Sequence, residues 1–301
     1  HDALPIWSAI IWAVLTMSTS LPGASQAALN VFACEPEWAA LAQALGGDRL
    51  EIYSATTVQQ DPHHIQARPS LIARTRKADL LVCTGAELEV GWLPLLLRRA
   101  GNARIQPGQP GHFLAAEHVE MLEVPEKLDR SLGDIHASGN PHIHTDPRNI
   151  LRIASRLSQR LQELEPDHAG HYQQRFQAFE AGWQESMRTW NELAIPVKGA
   201  KIVVHHDFWS YLVDWLGLDK IATLEPVPGV SPTTRHLAEV KQLLRNQPAV
   251  MIINTGYMTD RPVRWLSEQV DIPVVTLPAT VNFHGDETLQ QWFSNLIDLI
   301  I

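Results

Sequence analysis

The chain reads as an α/β protein of two lobes, each with a parallel sheet flanked by helices, joined by one long helix. Three observations carry that reading. Short apolar runs alternate with helical patterns in two separate stretches, as βαβ units do. A single uninterrupted amphipathic block lies between those stretches. The chain has 301 residues at 45% apolar and 19% charged content, enough to bury one or two sizeable cores and too apolar for a disordered chain.

In the first stretch, LNVFA (29–33), LEIYSAT (50–56) and ADLLVC (78–83) read as buried strands. Helical segments at 36–45 and 69–77 separate them, and Gly46-Gly47 closes the first. In the second, KIVVH (201–205), KIATL (220–224), AVMIIN (249–254) and IPVVTL (272–277) alternate with helices near 207–216, 233–246 and 260–270, and TLQQWFSNLIDLI forms a last helix. Between them, Tyr172, Phe176, Phe179, Trp183, Met187, Trp190 and Leu193 recur at steps of three and four. That spacing predicts one helix from Pro166 to about Ala194, roughly 40 Å long at 1.5 Å per residue. A packed helix resists bending, so interlobe motion is expected to be small. The resulting division is a leader at 1–27, an N-terminal lobe at 28–165, the linking helix at 166–197 and a C-terminal lobe at 198–301. Residues 107–140, rich in Pro, Gly, acids and scattered His, read as a weakly ordered insertion.

Ile6 to Thr16 is an apolar run of signal-peptide length, too short to span a bilayer. A Leu21-Pro22-Gly23 break and Ser25-Gln26-Ala27 follow, predicting cleavage after Ala27. No Cys stands at that site, so a soluble exported protein without a lipid anchor is expected. Lys and Arg number 24 against 33 Asp and Glu, a formal charge of −9, which argues against nucleic acid as a partner.

The 14 histidines carry the chemistry. Imidazole is the commonest metal ligand, and converging imidazoles beyond the carboxyl ends of parallel strands make a metal site. Three groups lie there: Asp61-Pro62-His63-His64, Asn140-Pro141-His142-Ile143-His144 and His205-His206-Asp207. Taken singly, each His reads as a locally bonded surface or core residue.

D-P-H-x-x-x-x-x-P-S (Asp61 to Ser70), N-P-H-I-H-T-D-P (Asn140 to Pro147) and H-D-F-W-S-Y-L (His206 to Leu212), in that order, resemble the ligand motifs of the zinc- and manganese-binding proteins of ABC importers. The resemblance runs from about Leu29 to Ile301 and includes A-E-L-E-x-x-W at Ala86 to Trp92. It implies a metal site in an interlobe cleft, with His63 and His142 from the first lobe and His206 from the second; His64, His144 and His205 then take supporting or surface places. The family's fourth ligand is an Asp or Glu after the final strand, and here that place holds Asn282, a weaker neutral donor. His284, Asp286 or a water are the alternatives, as is Asn282 being an ordinary turn residue.

Three imidazoles favour zinc over manganese, while copper(II) also suits nitrogen donors. His112, His118 and His136, with Glu117, Glu120, Glu123 and Asp134, read as a solvated loop, with weak metal collection as the alternative. The resemblance also implies that the strands ending at Cys34 and Cys83 are neighbours, and export then makes a disulfide between them expected, against two free buried thiols. The expected function is a periplasmic binding protein, a monomer, that hands zinc to an inner-membrane ABC permease, with a periplasmic metallochaperone as a further partner. An exported zinc hydrolase is the alternative, although no HExxH or G-x-S-x-G motif is present; a transporter-independent zinc buffer is another.

Overall fold

The computed structural model describes residues 28–125 and 136–301, so the expected leader at 1–27 and Asp134 lie outside the described residues. Two four-stranded, all-parallel sheets form the lobes. The first contains β1 (Leu29–Ala33), β2 (Leu50–Ser54), β3 (Leu80–Cys83) and β4 (His112–Leu114), in the order β2-β1-β3-β4. The second contains β5 (Lys201–Val204), β6 (Asp219–Thr223), β7 (Met251–Thr255) and β8 (Val274–Leu277), in the matching order β6-β5-β7-β8.

Helices α1 (Pro36–Gly46), α2 (Pro69–Lys77), α3 (Leu93–Ala100) and α4 (Pro147–Leu164) serve the first lobe. In the second are α6 (Ser210–Leu216), α7 (Thr234–Asn246), α8 (Arg261–Val270) and α9 (Leu289–Ile300). Between the lobes runs α5 (Ala169–Leu193), 25 residues or roughly 37 Å at 1.5 Å each.

Sheets covered on both faces need strands that are apolar on both sides, and the alternation of side chains sorts them into different cores. Leu80 and Val82 of β3 join the main core, whereas Leu81 and Cys83 pack with Trp92, Leu93 and Leu96 under α2 and α3. In β5, Ile202 and Val204 join that same main core while Val203 faces α7 and α8. The main core is therefore continuous through both lobes, and α5 is its spine: Tyr172, Phe179, Trp183 and Trp190 are buried in it. Leu193, at the end of the predicted stripe, is 45% exposed because the helix stops there.

The fold departs from the sequence pattern at two places. Within the expected insertion at 107–140, residues 112–114 form edge strand β4, paired with β3 through Leu81–His112 and Cys83–Leu114. Three residues carry too short a pattern to be read from periodicity. The helix expected at 207–216 opens as a separate 3-10 turn at Asp207–Trp209 before α6. Cys34 and Cys83 are bridged, with Cα atoms 4.8 Å apart, because β1 and β3 are adjacent parallel strands and the two residues stand at their carboxyl ends. No helix among the described residues is long and apolar enough to cross a membrane.

Candidate metal centre

Two of the three expected histidines are placed by the same local device. In Asp61-Pro62-His63, Asp61 Oδ1 accepts from the His63 backbone N–H at 2.9 Å. In Asn140-Pro141-His142, Asn140 Oδ1 accepts from the His142 backbone N–H at 3.0 Å. An Asp or Asn bonded to the amide two residues on makes a tight turn, and the intervening Pro removes a competing donor while restricting φ. Each turn therefore sets one imidazole beyond the edge of the first sheet. His142 is also backed by α4, whose cap Asp146 accepts from the Arg148 amide. The third, His206, stands just past β5 and before the Asp207–Trp209 turn.

These rings meet in a cleft of about 240 Å³ lined by His63, His136, His142, His206, Asp207 and Pro228, among others. The His142 ring centroid lies 5.6 Å from that of His63 and 5.8 Å from that of His206. His136 joins them: its Nε2 is 3.3 Å from His63 Nε2.

Carboxylates fix the ring orientations. Asp61 Oδ1 faces His63 Nδ1 at 2.7 Å, and Glu225 Oε2 faces His206 Nδ1 at 2.7 Å. A carboxylate only accepts, so each holds the hydrogen on Nδ1 and leaves Nε2 as the lone-pair nitrogen. Glu225 is itself held by the Gly229 amide at 2.8 Å. Nothing in the local sequence singles out Glu225, because its role depends on β6 lying beside β5.

Burial and charge then separate the imidazoles. His142 is 2% exposed; its burial, reinforced by His63 and His206, pushes its pKa well below the ordinary value and keeps it neutral. His206 goes the other way. Burial opposes its charge, but the hydrogen bond and charge of Glu225, with Asp207 and Asp61 beyond, outweigh it and raise the pKa. For Asp61, burial likewise works against the charged form, and the bonds and charge of His63 prevail to lower the pKa.

His64, His205, His112 and His118 do not line the cleft. The His64 side chain is 72% exposed. His205 is buried and bonded to Asn254 Oδ1 at 2.8 Å. His112 bonds the Ile105 carbonyl from β4, and His118 packs beside Phe113. Of the loop histidines weighed together, His136 alone lines the cleft.

Asn282 departs from expectation. It is exposed at the start of a single 3-10 turn, its backbone N–H donates to Glu287 Oε2 at 2.7 Å, and it does not line the cleft. His284 and Asp286 are exposed on the same turn. The reason lies just before it: Ala279, Thr280 and Val281 are drawn into the interior, so the chain turns outward at 282. Counting from the strand says nothing of this turn.

The family model described as zinc-uptake complex component A, periplasmic, matches residues 31–301. The metal ABC transporter substrate-binding lipoprotein SloC of Streptococcus mutans is 23% identical over 252 residues, covering 82% of this chain and 79% of that protein. The manganese ABC transporter substrate-binding lipoprotein PsaA of Streptococcus pneumoniae is 22% identical over 281 residues, covering 91% and 87%. Among solved structures, a ZnuA crystal structure superimposes with a TM-score of 0.76 at 20% identity, covering 91% of this chain and 98% of that one. A cadmium-bound periplasmic metal binding protein from Candidatus Liberibacter asiaticus gives 0.73 at 15%, covering 90% and 98%.

Proposed function

Because the chain belongs to the zinc-uptake component A family of ABC-importer substrate-binding proteins, which are not enzymes, we propose that its cargo is zinc, held by His63, His142, His206 and His136 in the interlobe cleft. The observation that carries this reading is the donor set. Four imidazoles line one cleft, and two are oriented by carboxylates on Nδ1 so that Nε2 carries the lone pair a metal needs. Nitrogen donors in a four-coordinate arrangement suit zinc, whereas manganese favours oxygen. In this reading His136 takes the place that counting along the chain assigns to Asn282. The protein works in the periplasm as a monomer and delivers its ion to an inner-membrane permease; a periplasmic metallochaperone is a further partner consistent with the same site.

The neutral-site logic supports reversible binding. His142 offers a proton-free nitrogen and no charge, while Asp61 and Glu225 supply compensating negative charge through hydrogen bonds to the far nitrogens of His63 and His206. Competition titration of the mature chain with a zinc chelator, repeated with manganese and copper(II), tests the assignment. Zinc binding that is tight and lost in His206→Ala is expected; preferential manganese binding would reject the donor argument.

A further inference from the structure

Behind the cleft, a second set of polar groups crosses between the lobes, and none of them lines the cleft itself. Glu37, in the first turn of α1, and His144, two residues past His142, are 2% and 3% exposed. Both find partners in the second lobe. The Thr280 hydroxyl donates to Glu37 Oε2 at 2.5 Å, and His144 Nε2 donates to the Ala279 carbonyl at 3.0 Å. A carbonyl only accepts, so Nε2 carries the hydrogen. Nδ1 is then turned toward Glu37 Oε1, 3.3 Å away but out of line for a direct hydrogen bond.

His144 also reaches the site through one aromatic ring. Phe208, two residues past His206, stacks on His142 with centroids 4.1 Å apart and meets His144 edge-on at 5.5 Å. Trp292 of α9 stacks on the other ring neighbour, His144, at 5.8 Å. A second-lobe ring is thus lodged between two first-lobe imidazoles, and the polar contacts of Glu37 and His144 hold it there.

We infer that Glu37 and His144 are positioning residues: a buried latch that clamps Ala279–Thr280 of the second lobe to the first and, through Phe208, sets the separation of His142 from His206. The consequence for zinc rests on the metal-binding reading above; the latch itself does not. Burial makes the latch effective, because opening it without admitting water strands the Thr280 hydroxyl, the Glu37 carboxylate and the His144 ring without partners.

The test uses the full mature chain with zinc as the probe and compares Glu37→Ala, Thr280→Val and Glu37→Gln. Glutamine is the informative variant: its carbonyl still accepts from Thr280 and its amide faces His144 Nδ1, so it preserves the latch without the charge. Zinc release into excess chelator is followed by stopped flow. Interlobe distance is measured in the metal-free protein by double electron–electron resonance between spin labels at Lys77→Cys in α2 and Arg245→Cys in α7. Glu37→Ala and Thr280→Val are expected to broaden the distance distribution and to speed zinc release about 10-fold, the lower end of the range for residues bonded directly to a ligand, because they act through Phe208; Glu37→Gln should do neither. A parental width and release rate in Glu37→Ala would overturn the latch, as would Glu37→Gln behaving like Glu37→Ala. If the parent binds no zinc, the metal reading fails while the distance widths still decide the latch. If Glu37→Ala does not fold, Thr280→Val carries the same comparison.

Discussion

An imidazole ligates only through a nitrogen without a hydrogen, so each histidine in the cleft contributes according to how readily it gives up its proton. His142 is already neutral because it is buried among other imidazoles. His206 holds its proton more firmly than usual because of Glu225. Acidification therefore restores the His206 proton first, and zinc affinity should fall as pH drops toward and below the ordinary histidine value of about 6.5. Glu225→Gln should shift that loss to lower pH while weakening binding about 10 to 100-fold at neutral pH; chelator competition between pH 5 and 8 checks both effects. In the same assay, His63→Ala, His142→Ala and His206→Ala should each lose orders of magnitude in affinity. His136→Ala should weaken binding measurably, while Asn282→Ala should be silent because that side chain stands outside the cleft. A loss in Asn282→Ala equal to that in His206→Ala would return the fourth place to Asn282.

At the scale of single elements, the ends of β1 and β3 combine a disulfide with a buried carboxyl pair. A Glu89 oxygen and the sulfurs of Cys34 and Cys83 all lie within 4.8 Å of one another, but both sulfurs are committed to the bridge. Burial raises the Glu89 pKa to about 7, against the opposing bonds from Glu35 and the Thr84 and Gly85 amides, and burial with the charge of Glu89 raises Glu35 as well. The folded state thus binds protons that the unfolded chain has released. Stability contributed by these groups is full below the unfolded value near 4.5 and is lost as pH rises toward 7. Glu89→Gln should flatten this part of the stability profile, by at most about 1.4 kcal/mol per pH unit for one proton, as read by urea unfolding at several pH values. Reducing the bridge should cost about 2 to 5 kcal/mol in the same measurement. For α5, Trp183→Ala should cost about 3 to 5 kcal/mol, since that ring is fully buried and its Nε1 donates to the Pro147 carbonyl at 2.8 Å.

Across the whole molecule, the two lobes share one continuous apolar core, with α5 packed along it. Opening the cleft widely would expose that core to water, at about 25 cal/mol for each Å² of apolar surface. Metal capture is therefore expected to involve small adjustments around the cleft. Small-angle scattering of the metal-free and zinc-loaded protein should give superimposable profiles, and a clear contraction on loading would show that the shared core opens.

Periodicity was enough to reveal the alternating strands and helices and the long helix, because these are local: a strand or helix writes its period of 2 or 3.6 into neighbouring residues. The motif histidines were singled out by resemblance to a known family, on motifs such as Asp-Pro-His that are contiguous in the chain. What depended on distant segments meeting was not legible. Edge strand β4 exists because β3 offers it a partner, Glu225 reaches His206 because β6 lies beside β5, and His136 reaches His63 across 73 positions of chain. Asn282 shows the same limit from the other side. Its distance from the last strand is a sequence property, whereas its direction is decided by Ala279 and Thr280 being pulled inward by His144 and Glu37. Local period thus determined the elements and motif resemblance named the candidate histidines, while long-range packing decided which of them share a cleft, because only the folded chain brings separate turns together.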